Sequence, residues 1–232
     1  MTQFCYYKIH TNNIMNILKY GYIALALFSG AITTSGSESD RSYEKTINAD
    51  TITWEQLDPG LRKYYIKTVI CGLENADKLM TGDDPLNAIA TVMEQALQVD
   101  ASDLTGEYKA YYEASLPLTK AVISDIRKAD RIPLPTSMSE LGTYQQKVMD
   151  TMLAIRAKHQ SEIDEINRKY PNAAALFDTP RPGIEEPKIN ELFNKKFNLE
   201  QMVYDNMMSS SSREEGIRKT VQELRNIAES QN

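Results

Sequence analysis

The stretch Ser137-Met-Ser-Glu-Leu-Gly-Thr-Tyr-Gln-Gln-Lys-Val-Met-Asp-Thr-Met-Leu-Ala-Ile-Arg-Ala-Lys-His-Gln-Ser-Glu-Ile-Asp-Glu-Ile-Asn-Arg-Lys-Tyr170 decides the fold. Leu141, Val148, Met152, Ile155, His159, Ile163, Ile166 and Tyr170 recur at helical spacing, with Arg156, Lys158, Glu162, Asp164, Glu165 and Arg168 between them. Ser137 and Glu140 stand three apart, as a capping box requires. The pattern predicts one long central helix over residues 138–170, about 50 Å at ~1.5 Å per residue. Its heptad spacing breaks between His159 and Ile163, which favours the spine of a bundle over one strand of a coiled coil.

The flanks support an all-α reading. Asp58-Pro59 and Asp84-Pro85 each place a capping carboxylate before a proline suited to a first helical turn. Leu61, Tyr65, Val69, Ala76 and Met80 follow the first as a stripe running to Thr81-Gly82. Leu86, Ile89, Ala90, Met93, Ala96 and Leu97 follow the second, so a helical hairpin is expected. Asp103 reads as the cap of the next helix, which carries Tyr108, Tyr111 and Tyr112 and is expected to kink or restart at Pro117. Ile132-Pro-Leu-Pro135 forms a boundary, because each proline drives its predecessor out of the helical region. Pro171 is expected to end the long helix, and residues 178–187 are the most loop-like. A short helix after Pro187, a cap at Asn198 and a capping box at Ser212 to Glu215 complete the pattern. No stretch alternates as a strand does. The prediction is an all-α bundle of about six helices.

Ahead of the bundle, Met15 to Ala31 reads as an export signal. Lys19 precedes the apolar run Tyr22–Phe28, and Ser29 and Ala31 supply small residues at signal-peptidase spacing. The apolar window, interrupted by Gly21, Ser29 and Gly30, is shorter than the ~20 residues that span a bilayer. The expected organisation is a leader at 1–31 with its start at Met15, a polar linker at 32–52 and one helical domain at 53–232. The mature chain is expected to be exported, periplasmic or secreted, without a transmembrane span.

The chain of 232 residues carries a net charge of −6, and removing a leader with two lysines and no acid makes the remainder −8. That balance repels phosphate backbones, and no basic stripe with interleaved aromatics offsets it, so nucleic acid is not the expected partner. Beyond residue 31 there is one cysteine, Cys71, which excludes an intramolecular disulfide there and reads as a small buried hydrophobe.

Candidate chemistry is sparse. Asp100, Ser102, Asp103 and Glu107 suggest a calcium loop, but Leu104, Thr105 and Tyr111 stand where an oxygen ligand, a glycine and a bidentate glutamate are needed. His159 is the one histidine after the leader. With Glu162 three residues on it forms a weak metal candidate, since no second Glu-x-x-His pair exists. No catalytic residue, cofactor loop or complete ligand set is expected. The tyrosine doublets Tyr64-Tyr65 and Tyr111-Tyr112 each place one ring inward and one toward the surface or a partner, and Met149, Met152, Met202, Met207 and Met208 read as core filling. Two functions fit: a non-enzymatic exported module binding a protein or an envelope component, or a carboxylate-based, glycan-cleaving hydrolase acting outside the cytoplasm.

Overall fold

The computed structural model describes residues 44–75, 84–178 and 186–231, and these are helical with no strand among them. Among the described residues there are nine α-helices: α1 Pro59–Glu74, α2 Pro85–Ala96, α3 Gly106–Lys128, α4 Leu141–Lys158, α5 Gln160–Lys169, α6 Pro171–Phe177, α7 Lys188–Phe197, α8 Leu199–Met208 and α9 Arg213–Glu229. Two 3-10 turns, Trp54–Gln56 and Met138–Glu140, precede α1 and α4. The expected leader, the first part of the linker, Ala76, Met80 and most of the 178–187 loop lie outside the described residues.

The count exceeds six chiefly because His159 and Pro171 start helices that the pattern does not separate, while the break at Asn198 is the expected one. The long helix expected over 138–170 is interrupted at His159, whose φ of −103° and ψ of 7° leave helical geometry. There the imidazole turns between Asp125 of α3 and Glu162, an attachment to a neighbouring helix that periodicity cannot register. Pro171 does not only stop α5; it occupies the first turn of α6, where its missing N–H costs nothing. Asn198 adopts φ 49° and separates α7 from α8, its side chain accepting from the Gln201 amide. Asparagine tolerates that left-handed conformation better than most residues.

The caps read from sequence hold at two further entries. Asp58 accepts from the Leu61 amide, and Asp84 from those of Leu86 and Asn87. Asp103 is a correction: Thr105 is the N-cap of α3, while the Asp103 carboxylate pairs with Lys63 and Lys67. Pro117 is another, because α3 runs through it without interruption. On either side of the proline, the hydroxyls of Ser115 and Thr119 donate back to the carbonyls of Tyr111 and Ser115.

Three apolar clusters result. The largest gathers Trp54, Leu61, Ile66, Phe193, Val203 and Leu224, uniting α1 with α7, α8 and α9. A second joins α2, α3, α4 and α5 through Met93, Leu118, Val122, Met152 and Ile163. The third is small, Tyr111, Ile166, Tyr170 and Ala173. Helix α1 packs closely on α9 and α2, and α3 on α2, but α1 and α3 are not a closely packed pair. Tyrosine rings stand between them instead.

Candidate functional site

The space between α1 and α3 is a groove of about 110 Å³, partly open to solvent. Leu61, Tyr64, Tyr65 and Thr68 form the α1 wall. Tyr108, Tyr111, Tyr112, Ser115, Leu116 and Thr119 form the α3 wall. Ala96, Leu97, Leu104, Phe177, Pro187, Ile189 and Asn190 complete the lining. Both walls follow from spacing: residues three and four apart share a helical face, so each helix turns one continuous row inward.

The doublets divide as adjacent helical positions must. Tyr65 and Tyr111 are buried at 6% and 3% exposure. Tyr64 and Tyr112 are half-buried and meet edge to face, their ring centroids 5.6 Å apart. Tyr111 also stacks on Phe177 at 5.9 Å and meets Tyr170 edge-on at 6.1 Å. These arrangements suit the aromatic quadrupole and lock the walls.

Four hydroxyls of the lining donate within the protein. Thr68 donates to the Tyr65 carbonyl at 2.6 Å, Ser115 to that of Tyr111 at 2.6 Å, and Thr119 to that of Ser115 at 3.0 Å. The Tyr65 hydroxyl donates to Asn190 Oδ1, and Asn190 Nδ2 donates to Glu186 at 3.2 Å. None of the described residues lining the groove is charged. Burial raises the phenol pKa values along it: that of Tyr108 is pushed up to about 12, and those of Tyr64, Tyr65 and Tyr112 also rise.

His159 and Glu162 lie elsewhere, at the α4–α5 junction. The two ring nitrogens serve different carboxylates: Nε2 faces Asp125 at 2.9 Å, and Nδ1 faces Glu162 at 3.3 Å. One metal ion cannot take the histidine and both acids from that arrangement, and no group of three or more His, Cys, Asp or Glu among the described residues could hold one. Lys158 adds a contact to Asp125 at 2.7 Å and, with His159 second, lowers the Asp125 pKa. The joint ties α3 to α4 and α5.

The acids of the discarded calcium loop also have structural partners. Asp100 accepts from Ser102 and from Lys67, and its pKa falls to about 2. Glu107 is buried against the first turn of α6, accepting from the Asn172 and Ala173 amides. Cys71 is half-buried, with Asn75 Nδ2 3.7 Å from its sulfur. Of the methionines, Met152 and Met207 are core and Met208 is exposed; none lines the groove.

The sequence singles out Tyr64, Tyr65, Tyr111 and Tyr112, and the fold brings all four to one place. It misses Thr68, Ser115, Thr119 and Asn190, whose signal is their 3/4 spacing from those rings for Thr68 and Ser115, a further turn along the same face for Thr119, and tertiary placement alone for Asn190. Among the described residues no helix is long and apolar enough to cross a membrane. No protein-family model, no curated protein and no solved structure matches the chain.

Proposed function

We propose that the protein is an exported, non-enzymatic helical module that binds a protein or another envelope component by taking an apolar group into the groove between α1 and α3. One observation carries the reading: the groove's described walls bear no charge, and the hydroxyls of Tyr65, Thr68, Ser115 and Thr119 donate within the protein. Such a surface gains by burying apolar matter, and the raised phenol pKa values of its tyrosines keep those rings neutral.

The hydrolase alternative needs two acids converging on a cleft, one with a raised pKa. Among the described residues no acid lines this groove, and the displaced carboxyls, including Asp100, Asp103, Asp125, Glu140 and Glu215, shift downward because hydrogen bonds favour their charged forms. Binding therefore has the better support.

The test is hydrogen exchange of the purified protein with and without a detergent extract of its own envelope. Slowed exchange confined to Leu61–Thr68 and Tyr108–Thr119, lost in Leu116→Lys, is the expected result. Protection elsewhere, or none together with turnover of a glycan, overturns the proposal.

A further inference from the structure

We infer that the α4–α5 joint is a proton-operated clasp: with a proton on each ring nitrogen, His159 donates to Asp125 and Glu162 at once and holds the start of α5 against α3, and loss of one proton frees the first turn of α5. The clasp is separate from the groove and does not depend on what the groove binds.

The number of available donors decides it. Nε2 faces Asp125 at 2.9 Å and Nδ1 faces Glu162 at 3.3 Å, and an ionised carboxylate only accepts. A neutral imidazole has one N–H, so it serves one of the two acids and turns a lone pair toward the other, whereas the doubly protonated ring serves both. Among the described residues, the charged groups at the joint come from three helices: Asp125 from α3, Lys158 from α4 and Glu162 from α5, with Lys158 pairing with Asp125 at 2.7 Å. Two carboxylates and one ammonium leave one negative charge unmatched, and the ring is the group placed to match it.

The two contacts also fix which proton leaves. The contact to Asp125 is the shorter, and the Asp125 side chain is 17% exposed against 43% for Glu162. Lys158 first, and His159 after it, hold the Asp125 carboxyl below its ordinary range, so it stays an acceptor. The neutral ring therefore keeps Nε2–H on Asp125 and gives up Nδ1–H, and the more exposed Glu162 turns into solvent.

The backbone keeps the opening local. The His159 carbonyl accepts from the amides of Glu162 and Ile163, both at 3.1 Å, which starts α5. The far end of α5 is held by other means: the Tyr170 amide donates to the Ile166 carbonyl at 2.8 Å, and the Tyr170 ring meets Tyr111 of α3 edge-on. Release at Nδ1 loosens the first turn and leaves that end in place.

The experiment is amide hydrogen exchange of the full-length protein, corrected for the intrinsic effect of pH, together with nitrogen-15 spectra of the imidazole, from about pH 5 to pH 8, the range in which histidine changes charge. The expected result is two ring N–H groups at the acid end and Nε2–H alone at the alkaline end. Over the same range exchange at Glu162 and Ile163 should rise about threefold to tenfold, the value of one net hydrogen bond, with Tyr170 unchanged. Glu162→Gln should flatten the rise at Ile163 with circular dichroism unchanged, because a carboxamide donates to the unprotonated Nδ1 as readily as it accepts from the protonated one. A ring whose protonation does not change over the range, a neutral ring that keeps Nδ1–H, a rise shared by Tyr170, or an undiminished rise in Glu162→Gln overturns the clasp.

Discussion

The carboxylate of Glu107 on α3 accepts hydrogen bonds from Asn172 at the start of α6, from its amide at 2.7 Å and its Nδ2 at 2.6 Å, both residues being buried. It also accepts from the Ala173 amide at 3.2 Å. A side chain 65 residues away thus satisfies helix-terminal donors that no local residue meets. Asn172 in turn accepts from the amides of Thr46 and Ile47, which fastens the chain before the first turn to the same point. Glu107→Ala leaves buried donors without an acceptor and should cost about 2 to 3 kcal/mol in denaturant unfolding. A loss below about 0.5 kcal/mol would show that water replaces the carboxylate freely.

Gly60 is a place where a methyl group cannot enter. A Cβ there would lie 1.9 Å from the Asp103 carbonyl oxygen, which is backbone and cannot swing aside. Gly60→Ala should therefore destabilise despite alanine's better helix propensity, by about 1 to 3 kcal/mol for a forced backbone shift. A midpoint at or above that of the parent protein would mean that the loop before α3 gives way easily.

These two sites show where sequence reading stops. Asp58, Asp84, Asn198 and Ser212 announce helix starts because a cap and its recipient amides lie within three residues of each other. Glu107 has the same role for α6, yet its recipients lie in another helix, so it reads only as a failed calcium ligand. His159 falls in an apolar stripe and is buried as the stripe requires, but its partner on α3, Asp125, breaks the helix that periodicity extends. The groove is half legible: the doublets identify rings facing two ways, while the contact of Tyr64 with Tyr112 depends on how α1 and α3 are held apart.

The α4–α5 joint depends on His159. Removing the ring deprives Asp125 and Glu162 of a partner and leaves space in a site where the histidine is only 8% exposed. His159→Ala should lower stability by about 1 to 2 kcal/mol, with faster hydrogen exchange at Glu162 and Ile163, whose amides donate to the His159 carbonyl at the start of α5. Unchanged exchange there would remove the ring from any role at the joint.

The tyrosines of the groove set the alkaline limit. The Tyr108 phenol titrates near 10 when unfolded and at about 12 when folded, chiefly because burial disfavours the phenolate, and Tyr64, Tyr65 and Tyr112 are raised for the same reason. Between those values the unfolded chain has lost protons that the folded chain retains. Their contribution is therefore complete below about pH 10 and falls as pH rises toward about 12. Urea midpoints measured in steps across that range should decline, and the ring resonances of Tyr64, Tyr65, Tyr108 and Tyr112 should titrate only as the protein unfolds. Titration of those four rings near pH 10 in a fully folded protein would contradict their burial.

The central claim is that the space between α1 and α3 receives an apolar group, and the most direct measurement is where a small apolar probe, the glycerol monoester of decanoic acid, rests. Nuclear Overhauser contacts between the methylene protons of the ten-carbon glycerol monoester and the tyrosine ring protons locate it without reference to affinity. The account predicts contacts to the rings of Tyr64, Tyr108, Tyr111 and Tyr112. Contacts confined to the exposed apolar side chains Leu134, Leu153 and Met208 would contradict it.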